Sequence, residues 1–90
     1  MRFEWDAAKA AANLEKHGIT FEEASTVFAD ELSLTYPDPD SPGEARYLVF
    51  GQSSAERYLV VVHAERNGMI RRISARRLTP KERRDYEQLR

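Results

Sequence analysis

Between Arg57 and Leu78 the chain reads RYLVVVHAERNGMIRRISARRL, and the Asn67-Gly68 pair near its middle constrains the fold more than any other feature. Both residues tolerate the positive φ of a type I′ turn, so Asn-Gly between two apolar runs is a strong local signal for a β-hairpin. The first run is Tyr58-Leu59-Val60-Val61-Val62. The second threads arginines between Ile70, Ile73 and Ala75.

A two-residue turn also sets the register. With Arg66 and Met69 flanking it, the expected pairs are Glu65 with Ile70, His63 with Arg72, Val61 with Ser74 and Leu59 with Arg76. Side chains alternate along a strand, so these eight should share one face. Tyr58, Val60, Val62, Ala64, Ile73 and Ala75 should form the other, which is expected to be the core side. The first face is mixed, with Leu59, Val61 and Ile70 surrounding His63, Arg72, Ser74, Arg76 and Glu65. Such a surface could handle a phosphodiester, or it could be a solvated sheet face with incidental ion pairs. A one-residue slip would exchange the two faces.

Charge is distributed unevenly around this hairpin. Residues 1–56 hold four Lys/Arg against eleven Asp/Glu, a balance of −7, whereas residues 57–84 hold nine against two, a balance of +7. The overall charge of −1 conceals the split. Eight of the nine basic residues in the second block are arginine, which favours bidentate contacts with phosphate or carboxylate. Nucleic acid or an acidic protein would answer to that. With no cysteine, there is no disulfide framework, thiolate metal site or cysteine nucleophile. No apolar run approaches membrane-spanning length and the start is not a signal peptide, so a soluble cytoplasmic protein with no membrane role is expected. Ninety residues suit one domain, taken as 1–90.

In chain order, Arg2-Phe3-Glu4-Trp5 should be a short strand that could form an edge of the sheet. Asp6 can cap a helix over AAKAAANLEKH, which Gly18 ends. Lys16 and His17 fall in its last turn, where the helix dipole favours cations. There they could equally present charge and an acid–base group to a phosphate. Thr20-Phe21-Glu22-Glu23 is a capping box opening a second helix through Phe28, which ends at Asp30 or Glu31. Leu32 to Tyr36 and Glu44 to Gly51 read as strands around a Pro-rich loop. The aspartates of that loop lack the EF-hand spacing, so no metal site is expected. Thr79-Pro80-Lys81-Glu82 starts a last helix whose apolar stripe, Tyr86 and Leu89, is thin. The predicted fold is α+β: a small antiparallel sheet with two N-terminal helices and one C-terminal helix, in the order β-α-α-β-β-β-β-α.

Several strings together resemble the BrnT family of type II toxin–antitoxin ribonucleases, a branch of the RelE-like toxins. They are Phe3-Glu4-Trp5-Asp6 with Lys9 and Asn13, Lys16-His17-Gly18, Phe21-Glu22-Glu23-Ala24 and Val27-Phe28-Ala29-Asp30. Glu44-Ala45-Arg46, Arg66, Ile73-Ser74-Ala75-Arg76, Glu82 and Tyr86 complete the set. The resemblance implies a RelE-like fold, metal-independent RNA cleavage without a cofactor, arrest of translation and growth, and a cognate BrnA-type antitoxin in a hetero-oligomer. It also implies contact with operator DNA only through the antitoxin.

RNA cleavage without metal uses the 2′-hydroxyl as nucleophile. The protein must therefore move protons and neutralise the phosphorane. Candidate catalytic residues are His63 or His17 for acid–base work and Arg66 and Arg76 as phosphate clamps. Lys16, Arg46, Arg72 and Ser74 are candidates for RNA binding. Glu44 could orient an arginine, act as a base, or form a strand-end ion pair. Tyr86 reads as a packing residue or as an aromatic that reaches substrate. The other reading is a module, or an inactive toxin, that uses the same arginines to bind RNA or an acidic partner and cleaves nothing.

Overall fold

The computed structural model describes residues 2–39, 45–66 and 68–89, without the side chains of Arg66, Arg72 and Ile73. Glu44 and Asn67 therefore lie outside the described residues. The elements follow the predicted order: β1 (Arg2–Glu4), α1 (Ala7–His17), α2 (Phe21–Thr26) with a 3-10 turn (Val27–Ala29), β2 (Leu34–Pro37), β3 (Arg46–Gln52), β4 (Tyr58–Arg66), β5 (Met69–Arg77) and α3 (Pro80–Leu89).

Local chemistry explains the helix limits. Asp6 Oδ1 accepts from the amides of Ala8 and Lys9 at 2.8 and 3.1 Å, and Gly18 closes α1 in the left-handed region at φ 69°. Thr20 Oγ1 caps α2 by accepting from Glu23 N at 3.0 Å. The capping box is only half used, because the Glu23 carboxylate accepts instead from Arg57 and from Ser53 Oγ. These hydrogen bonds, those from Arg57 foremost, hold the Glu23 pKa below its ordinary value.

The five strands lie in the order β1-β5-β4-β3-β2. β1 is an edge strand as expected, but it runs parallel to β5, so the sheet is not wholly antiparallel. Along the hairpin the expected register holds from Arg66–Met69 to His63–Arg72, then shifts by one: Val62 pairs with Ser74, Val61 with Ala75 and Val60 with Arg76. Ile73 is the extra residue of a β-bulge.

The main core lies on the face expected to be mixed, and beyond the bulge the β5 residues exchange faces. Val61, Leu59, His63 and Ala75 point toward the two N-terminal helices, and Leu59, Val61 and Ala75 join Ile19, Ala24, Val27 and Val49 in the main core. Ser74 and Arg76 move to the opposite face with Val62 and Val60. Part of that second face lies under α3, where the buried Tyr86 ring meets Tyr58 at 5.9 Å. Sheet and helices thus make three layers, and both sheet faces bury apolar side chains.

At Gly51 on β3 the 3-10 turn and the residues after it come close to the sheet. A Cβ there would sit 2.9 Å from Val27 Cγ1 and 3.1 Å from both Asp30 Oδ2 and Ser33 Cβ.

Candidate RNA-cleavage site

β1 pairs with β5 only as far as Glu4–Arg71, leaving the outer edge of β5 open beyond that point. α1 fills the gap with a side chain. Asn13, 6 % exposed, donates from Nδ2 to Ala75 O at 2.9 Å and to Ile19 O at 3.0 Å, while Ala75 N donates to Asn13 Oδ1 at 3.0 Å. Asn13 thereby imitates a strand's peptide group and locks α1 to the sheet edge.

That lock places the end of α1 beside the second sheet face. Lys9, Ala12, Asn13, Lys16 and His17 line a shallow pocket of about 260 Å³ with Ser74 of β5. Among the described residues, none of Lys9, Lys16 and His17 is ion-paired. Two cations, an imidazole and a hydroxyl around an open concavity suit a phosphate.

Arg76 lies two residues beyond Ser74 on the same face, about 7 Å along the strand. Its guanidinium grips Glu82 of α3 with both ends, Nη1 to Oε1 at 2.8 Å and Nη2 to Oε2 at 3.0 Å. Glu82 also accepts from Thr79 N at 2.9 Å, in the fully formed capping box of α3. The Arg76 hydrogen bonds first, with the Thr79 contacts, lower the Glu82 pKa to about 2. Arg46, half-buried, shares this face, paired across the sheet with Ala64.

Lys16, His17, Ser74 and Arg76 are therefore brought to one side, with Arg46 further along the same face. His63 is not. It is 3 % exposed on the helix-covered face, edge-on to Phe28 at 5.0 Å and stacked on Tyr47 at 5.5 Å between ring centroids. The proposed grouping of His63 with Ser74 and Arg76 is broken by the bulge at Ile73. Arg72 pairs with His63 through its backbone; its side chain and that of Arg66 are outside the described residues, as is Glu44. Tyr86 is 3 % exposed and its hydroxyl lies 3.2 Å from Asp30 Oδ2 and 3.1 Å from Leu32 O, a docking role for α3.

Neither Lys9 nor Asn13 stands out in the sequence as a site residue. Their spacing with Lys16, at intervals of four and three residues, puts all three on one helix face and was the available signal. In the sequence Glu82 has only the signature of a helix start. Among the described residues, no group of three or more His, Asp or Glu side chains is arranged to hold a metal ion, and no helix is long and apolar enough to cross a membrane.

Comparison with known proteins agrees with the architecture. The crystal structure of the Brucella abortus ribonuclease toxin BrnT superposes with a TM-score of 0.71, covering 88 % of this chain and 97 % of that one at 20 % identity. Among curated proteins no match is found. Residues 5–82 match the family described as the ribonuclease toxin BrnT of type II toxin–antitoxin systems. The chain belongs to the BrnT family of type II toxin–antitoxin ribonuclease toxins.

Proposed function

We propose that this protein is an endoribonuclease toxin that cleaves RNA without a metal or cofactor and so arrests translation. The observation that carries the reading is the pocket between α1 and β5, where Lys16, His17 and Ser74 meet beside Arg76. In this reading the 2′-oxygen attacks the adjacent phosphorus and the bond to the 5′-oxygen breaks. The products are a 2′,3′-cyclic phosphate and a 5′-hydroxyl. His17 is the proton-transfer group, because it is half-buried at the pocket wall, whereas His63 is sealed between Phe28 and Tyr47. Arg76 and Lys16 neutralise the phosphorane, Ser74 donates a hydrogen bond, and Arg46 adds positive potential along the face.

Membership of a type II toxin family supports an antitoxin partner, which we take to be BrnA-like and encoded beside the toxin. Operator DNA would be contacted through that antitoxin. Expression with and without the neighbouring gene, following growth and RNA integrity, tests the proposal. Arrest and RNA fragmentation should appear only without the neighbour, and Arg76→Ala or His17→Ala should abolish both. RNA that is bound but recovered whole would identify a non-catalytic binding module instead.

A further inference from the structure

Arg76 is engaged without being used up. A guanidinium has five N–H donors in a planar fork. Its end-on pair goes to Glu82, and the second Nη1 hydrogen serves Arg77 O, which accepts at 3.1 Å. The Nε–H and the remaining Nη2–H form a second bidentate edge, and neither is spent on these bonds. The side chain as a whole keeps 42 % of its surface exposed.

Glu82, for its part, cannot wander. Its carboxylate accepts from Thr79 N while its own amide donates to Thr79 Oγ1, so it is built into the first turn of α3. Tyr86 fastens the same helix to Asp30 and Leu32 one turn later. A carboxylate fixed in this way removes the rotamer freedom that a lone surface arginine would lose on binding.

We propose that Glu82 is the positioning residue of the site: it holds Arg76 end-on so that the Nε/Nη2 edge is presented to a phosphate of the RNA bound along β5. The proposal rests on the RNA-cleaving reading above and adds a residue that acts through Arg76 rather than on substrate. The pairing is kept through the working pH range, since Glu82 titrates only near 2.

The test is binding of a non-cleavable oligoribonucleotide carrying 2′-deoxy sugars, with cleavage of its all-ribose counterpart measured in parallel. Glu82→Gln breaks the two-point grip while keeping size and one acceptor. It should weaken binding and slow cleavage about tenfold in the wild-type background, as expected for a misplaced binding group. In an Arg76→Ala background it should change binding by less than about twofold, the mark of a residue that works only through its partner. Thr79→Ala, which weakens the helix start but leaves the Arg76–Glu82 pair, should lower Tm without changing binding. Equal losses from Glu82→Gln in both backgrounds, an equal loss from Thr79→Ala, or tighter binding by Glu82→Gln would overturn the proposal. The last outcome would make Glu82 a competitor for Arg76. A wild-type protein that binds but does not cleave, with the Glu82 dependence intact, would remove the ribonuclease reading and leave the positioning role standing.

Discussion

Asn13 and Ala75, sixty-two residues apart in the chain, are joined by a reciprocal pair of hydrogen bonds at 2.9 and 3.0 Å. The pair lets one side chain serve as the neighbour that β5 lacks beyond the end of β1, and it sets where Lys16 and His17 stand relative to Ser74. Removing it leaves a buried N–H and two carbonyl groups to find water or go unpaired. Asn13→Ala should therefore cost about 2–4 kcal/mol in urea unfolding. Asn13→Asp should cost at least as much near neutral pH, because a carboxylate would face Ala75 O and Ile19 O. An unchanged midpoint in either variant would show that α1 is held by other contacts.

The two histidines should separate cleanly. His17→Ala should lower kcat by about 10²–10⁴-fold with Tm little changed, the range lost with a general acid–base group. His63→Ala should act mainly on stability, because it empties the space between Phe28 and Tyr47. A loss of about 2–3 kcal/mol is expected, with activity per folded molecule reduced far less than in His17→Ala. Chemical denaturation run beside RNA-cleavage kinetics checks both. The reverse pattern would move the proton-transfer role to His63.

At Gly51 the constraint is space. An added methyl would fall 2.9 Å from Val27 Cγ1 on the 3-10 turn and 3.1 Å from Ser33 Cβ. Gly51→Ala should destabilise by about 1–3 kcal/mol, the usual cost of overpacking. Calorimetry decides it. A stabilised variant would mean that the turn can retreat from the sheet at no cost.

Acid should weaken the docking of α3 in a defined window. Glu82 is shifted from 4.5 to about 2 by Arg76 and Thr79. A depressed folded-state pKa means that the stabilisation is complete above the ordinary value and is lost as pH falls from about 4.5 toward 2. Urea midpoints across this window should fall less steeply for Arg76→Ala than for the wild type. Parallel slopes would deny the pair any share in acid sensitivity.

Much of the fold was legible because its signals are local. Asp6 and Gly18 delimit α1, Thr20 and Thr79 open α2 and α3, and the two-residue spacing between Arg66 and Met69 sets the hairpin register as far as His63–Arg72. The bulge at Ile73 was not legible, since no glycine or proline marks it, and one extra residue sends Ser74 and Arg76 to the opposite face. Alternation could not name the core face, because helices cover parts of both and each carries apolar residues. The parallel β1, the diversion of Glu23 to Arg57, the hold of Asn13 on Ala75 and that of Glu82 on Arg76 depend on tertiary placement. Lys16 and His17 could be proposed from their place at the helix corner; only the structure shows Ser74 across from them.

In the proposed mechanism this chain cuts RNA with its own side chains and the substrate's 2′-hydroxyl. Purified protein incubated with RNA in excess EDTA, followed by analysis of the new ends, is the decisive experiment. Cleavage undiminished by the chelator, 2′,3′-cyclic phosphate and 5′-hydroxyl ends, and no cleavage 3′ of a 2′-deoxy sugar are expected. Loss of activity on chelation, or cleavage at the deoxy position, would contradict this mechanism.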